Sequence, residues 1–220
     1  MDHRALEELQ AVCRGWSSAV KGAADGDGRI AFFRTELPKL LSRPALFEGV
    51  LKGILTGHPC PNLRQETLFD NELVLYRDAG RLFSLRLYFF GPGEHTFVHD
   101  HVSWGVSGPA FGPIEVIRYQ SEEGDSEPRP ARVRMSGRSV LRPGETETTL
   151  PLGRGIHRTG NPDDGTSVMA SVYGPPLRRL FIQRFDLETG RVDRVYPPHV
   201  KKRMLVAQAV KMMAAAHPSN

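Results

Sequence analysis

Between residues 66 and 197 the chain repeats one pattern: a short apolar or alternating run, then a turn built on glycine or proline. No other feature constrains the fold as much. Runs of this length with period-two alternation form strands, and the turn residues between them close hairpins. The candidates are Leu73–Arg77, Arg81–Phe90, His95–Val106, Ile114–Gln120, Ala131–Leu141, Glu145–Leu150, a strand opening at Ile156-His157, Ser167–Tyr173, Leu180–Asp186 and Val192–Val195. Asp78-Ala79-Gly80, Arg142-Pro143-Gly144-Glu145, Pro151–Gly155 and Glu188-Thr189-Gly190 are the turns. The 22 glycines and 17 prolines of the chain serve this punctuation. Eight or more antiparallel strands joined this way make a barrel or jelly roll, so the expected class is mainly β.

Helical periodicity flanks that block. Leu6, Leu9, Val12, Cys13 and Trp16 recur at helical spacing over residues 3–21, with Asp2 as N-cap. Residues 29–41 form a second helix with a bend at Pro38. Ser42-Arg43-Pro44 caps a third, which runs to about Leu55. Residues 1–57 thus form a helical cap, 66–197 the β-region and 198–216 a C-terminal helix, all in one domain of 220 residues. Asp25-Gly26-Asp27 lacks the remainder of a calcium loop. His58-Pro59-Cys60-Pro61 reads as a stiff linker, with no second pair to complete a zinc site. Two cysteines rule out a disulfide framework and fit a cytoplasmic protein. No apolar run reaches the roughly 18 residues of a membrane span, and the start of the chain carries no apolar signal core. A net charge of +4 is spread over scattered arginines. Only Lys201-Lys202-Arg203 clusters, which reads as a solvated helix start, so neither nucleic acid nor membrane is an expected partner.

Chemistry concentrates in His99-Asp100-His101. Alternate residues on a strand share a face, so the two imidazoles point the same way and supply half of a metal site. His157, after a glycine-rich loop, is the third candidate ligand. His95 lies on the same strand face and reads as a supporting or surface group. His3, His58, His199 and His217 fall in terminal or linker contexts. On the strand ending at Phe90, one face carries Phe83, Leu85, Leu87 and Phe89, and the other Ser84, Arg86, Tyr88 and Phe90. The second face either lines a barrel interior near the metal or meets solvent.

Gly93-x5-His99-x-His101 and Pro151-x-Gly153…His157-x3-Asn161 resemble the two motifs of the cupin superfamily, whose members are double-stranded β-helix (jelly-roll) barrels with a metal inside. The usual cupin glutamate is missing, because its positions hold Gly105 and Val106. Phe90-Gly91-Pro92-Gly93, Val98-His99-Asp100-His101 with Trp104-Gly105-Val106, Arg142-Pro143-Gly144-Glu145, Ile156-His157-Arg158, Asn161-Pro162 and Val172-Tyr173-Gly174 together resemble the cysteine dioxygenase family. The likeness is to its bacterial branch, which includes 3-mercaptopropionate dioxygenase, and it covers roughly residues 70–195. The resemblance implies a mononuclear non-haem Fe(II) enzyme that oxidises a small thiol to a sulfinic acid with O2. It places His99, His101 and His157 as the iron ligands and Tyr173 as the catalytic tyrosine. The family's Ser-x-His-x-Tyr run reads Met169-Ala170-Ser171-Val172-Tyr173 here, so its hydrogen-bonded relay is broken. Where the family places an Arg or Gln for a substrate carboxylate, this chain has Glu72 or Leu73. Arg86, Arg178 and Arg179 are the replacement anion partners, with Tyr88 beside them, and Glu72 suggests a substrate amine instead. A metal-binding cupin with isomerase, lyase or small-ligand-binding work is the alternative.

Overall fold

The computed structural model describes residues 4–22, 26–56, 65–121 and 132–216. Asp2, His3, Asp25, His58, Cys60, the acidic loop after Ser121 and His217 lie outside them.

Three helices lead: α1 (Arg4–Val20), α2 (Gly26–Leu41) and α3 (Pro44–Leu55). Pro38 sits inside α2 without ending it. Ser42 is not the cap of α3. Arg43 occupies that position with no side-chain bond, and Ser42 Oγ donates to the Lys39 carbonyl instead. Strands follow as β1 (Glu72–Arg77), β2 (Ser84–Phe90), β3 (Val98–His99), β4 (Gly105–Phe111), β5 (Ile114–Ser121), β6 (Val133–Leu141) and β7 (Glu147–Thr149). After a 3-10 turn at Leu152–Gly155 come β8 (His157–Gly160), β9 (Ser167–Tyr173), β10 (Ile182–Phe185), β11 (Val192–Val195) and the helix α4 (Pro198–Ala216).

The strands form two antiparallel sheets, ordered β1-β2-β9-β4-β7 and β11-β10-β3-β8-β5-β6. Helices precede and follow these two sheets, so the class is mainly β, as expected. The predicted strand His95–Val106 is in fact two, one in each sheet, and His95 lies outside both, joined to Gly160 by an isolated bridge. The polypeptide crosses between the sheets just after His101, and that crossing brings the histidines to the interior.

Alternation on β2 sorts the core into layers. Leu85 and Leu87 point outward and pack with Leu9, Trp16, Phe33, Leu37 and Val50 of the helices. Tyr88 and Phe90 point inward with Ile114, Val116 and Met169. The Arg86 face therefore lines the barrel, which decides between the two readings of this strand. A third cluster, Val98, Ile117, Tyr119, Ile156 and Phe185, belongs to the second sheet. Burying a large apolar side chain stabilises the fold by about 1.5–3 kcal/mol, so the helical cap contributes to the stability of the first sheet.

Candidate metal centre

His99 on β3 pairs in register with His157 on β8. Directly opposed residues on antiparallel strands share a face, so these two imidazoles are neighbours by construction. His101 joins them from just beyond β3, its ring centroid 4.8 Å from that of His99 and 4.7 Å from that of His157. The ligating atoms of the three all lie within 4.8 Å of one another. His99 Nδ1 donates to the Phe97 carbonyl at 2.8 Å, because that oxygen only accepts. Its Nε2 lone pair is thereby turned to the centre.

Backbone bonds clamp this segment. Leu152 N–H donates to the His101 carbonyl at 2.8 Å from a left-handed conformation (φ 62°). Asp100, between the two histidines, faces away from them and is fully buried. Arg179 forks onto it at 2.9 and 2.6 Å, and Gln183 N–H adds a third bond at 2.7 Å. Arg179 is thus engaged behind the histidines rather than in the cavity before them, and Arg178 is exposed. Charge-assisted forks of this kind fix geometry.

Burial dominates the electrostatics. It drives His99 down to about 4, against the opposing pull of the Phe97 carbonyl and Asp100. His101 and His157 also lie well below the ordinary histidine value, through burial first and then their imidazole neighbours. All three rings are neutral at pH 7, the form that binds metals.

This donor set fits a first-row divalent ion. His101 Nε2 and His157 Nε2 stand 3.0 Å apart. Metal–nitrogen bonds of about 2.1 Å at right angles put ligand nitrogens about 3.0 Å apart. Among the described residues no carboxylate joins the group. Gly105, near where a cupin glutamate is expected, faces the Tyr173 ring. A Cβ there would lie 2.7 Å from Tyr173 Cε1, so the tyrosine occupies the space. The Tyr173 ring stacks on His101 at 6.0 Å and meets Tyr88 edge-on at 6.5 Å.

A cavity of about 110 Å³ opens on His99 and His101, walled by Phe69, Glu72, Arg86, Tyr88 and Tyr173. A narrower one of about 20 Å³, room for one water, runs along His99 and His157 under Phe90, Val116 and Met169. Burial holds the Tyr88 and Tyr173 phenols above the usual tyrosine value. Among residues expected from sequence, His99, His101, His157, Tyr173, Tyr88 and Arg86 meet here. His95 does not: it bonds Glu115 at 3.0 Å instead and lines neither cavity. Phe69, stacked on Phe97 at 5.3 Å and tilted against His99 at 5.0 Å, was not foreseen. It precedes β1 without strand periodicity, and only its aromatic character marks it.

No protein-family model matches the chain. Solved structures similar to it include a cupin-2 conserved barrel domain protein from Salinispora arenicola, 17% identical over 50% of this chain and 81% of that one (TM-score 0.37). A Klebsiella pneumoniae protein with a double-stranded β-helix domain is 13% identical, covering 60% and 96% (TM-score 0.36). Oxalate decarboxylase from Lactobacillus farciminis is 17% identical, covering 51% and 31% (TM-score 0.37).

Proposed function

We propose that the protein is a mononuclear non-haem iron enzyme of the thiol dioxygenase type, with His99, His101 and His157 holding Fe(II). The observation that carries this reading is the carboxylate-free histidine triad facing a small, aromatic-walled cavity. Three neutral donors leave the ion its full double charge. The chemistry Fe(II) supplies when bound is Lewis acidity toward a thiol and one-electron reactivity toward O2. The net reaction is R–SH + O2 → R–SO2H: the O–O bond breaks, two S–O bonds form, and sulfur loses four electrons.

The chain's residues do the rest. Phe69, Tyr88 and Tyr173 wall the cavity and exclude water from the reacting end. Tyr173 presents its phenol beside His101, where its O–H donates to an oxygen or sulfur of the bound reactants. Burial keeps that phenol protonated and so a donor. Oxygen uptake by Fe(II)-loaded protein on cysteine, cysteamine, 3-mercaptopropionate and mercaptosuccinate tests the reading. At least one thiol should give uptake matched mole for mole by sulfinate. Turnover of none, with iron at full occupancy, would favour the non-oxidative alternative.

A further inference from the structure

We propose that the cavity beside the histidines selects a substrate carrying an ammonium group, and that Glu72 is the residue that reads it. The inference rests on the thiol reading for the end of the substrate at the histidines, but not for the end at Glu72.

Glu72 begins β1 and pairs in register with Tyr88, which brings it to the cavity wall. Its side chain is only 1% exposed. Oε1 accepts from Arg86 Nη1 at 2.5 Å, whereas Oε2 is buried with no partner. A buried carboxylate oxygen left unpaired is costly, so the wall presents an unmet acceptor. Arg86 has no matching need. Its Nε donates to Ser84 Oγ at 3.1 Å, its guanidinium lies over the Tyr173 ring at 5.2 Å, and 27% of its side chain remains exposed. The cation that could hold a carboxylate is thus already balanced by Glu72. An incoming carboxylate would compete with Glu72 for Arg86 and face its charge. An ammonium would donate to Oε2 beside the rings of Phe69 and Tyr88 in the same wall. At about 110 Å³ the space suits a short chain between the two ends.

Binding by the Co(II)-loaded protein under anaerobic conditions tests this without turnover. Calorimetry should give 2-aminoethanethiol an affinity at least about tenfold above that of 3-mercaptopropionate. Glu72→Gln frees Arg86 and should reverse the order. Glu72→Asp, which keeps the charge but draws it back, should weaken amine binding without reversal. Equal or carboxylate-favoured binding by the wild type overturns the proposal, as does an amine preference that survives in Glu72→Gln. Propylamine against propionate, on the same protein, separates the two claims. A preference for propylamine with no thiolate-to-cobalt absorption band leaves Glu72 its role and removes the thiol reading. A thiolate band without amine preference does the reverse.

Discussion

At the residue scale, the centre depends on small shapes as much as on donors. Gly105 yields its side-chain space to Tyr173. Gly105→Ala should push that ring off His101 and destabilise the fold by about 1–3 kcal/mol, seen as a lower denaturation midpoint together with lost turnover. Tyr173→Phe keeps the ring and removes only the hydroxyl. It should lower kcat about 100-fold or more if the phenol donates during chemistry, and unchanged turnover would reduce Tyr173 to packing. The three histidines were legible in the sequence because imidazole is rare and the His-x-His alternation states a direction. The pairings of Glu72 with Arg86 and of Asp100 with Arg179 were not. Each joins residues far apart in the chain, and only sheet register decides which charge meets which. Sequence reasoning accordingly placed Arg179 with the substrate, whereas the structure sets it behind the three histidines on Asp100. Arg179→Ala would take the cation away from a buried carboxylate, and a loss of about 3–5 kcal/mol in urea unfolding is expected. A loss below about 1 kcal/mol would show that the fork is dispensable.

At the element scale, β9 and β11 match the predicted bounds, and α4 also agrees, because their patterns are unbroken. Only Gly105 and Val106 of β4 fall within a predicted strand. Gly105, Gly108 and Pro109 weaken its local signal, and its place is set by pairing with β9. Gly108 is needed there because the backbone before β7 comes close: an added Cβ would fall 2.3 Å from the Glu145 carbonyl oxygen and 2.7 Å from Leu41 Cδ1. Tertiary contact thus outweighs local propensity in this strand, as it does at Pro38 within α2. The helix α4 differs from the first three. Residues 201–213 are exposed along its length, including Leu205, Val206, Val210 and Met213. Its deletion removes little buried surface, so a chain ending at Pro197 should melt within about 2 °C of the full chain. A larger drop in calorimetry would show that α4 is covered in solution.

At the scale of the whole molecule, the helices brace the outer face of one sheet, and the barrel interior holds neutral imidazoles away from water. Among the described residues no helix is long and apolar enough to cross a membrane. Buried neutral histidines link stability to pH. Below about 6.5 the unfolded chain takes up protons that the folded chain refuses, so metal-free stability should fall as pH drops through 6.5 and continue falling toward 4. For His99 alone, the interval from 6.5 to about 4 is worth about 3 kcal/mol at the acid end. His99→Leu should flatten this slope in urea titrations, and an unchanged slope would place the linkage elsewhere. The fold class followed from turn spacing, and the histidine group from residue type. The identity of the ion follows from neither and is the central claim. Metal analysis of protein purified without oxygen addresses it most directly, in the wild type and in His157→Ala. The account predicts one iron per chain in the wild type and none in the variant. Iron at full occupancy in His157→Ala, or tightly held zinc or nickel in a wild type that consumes no oxygen with any thiol, would contradict it.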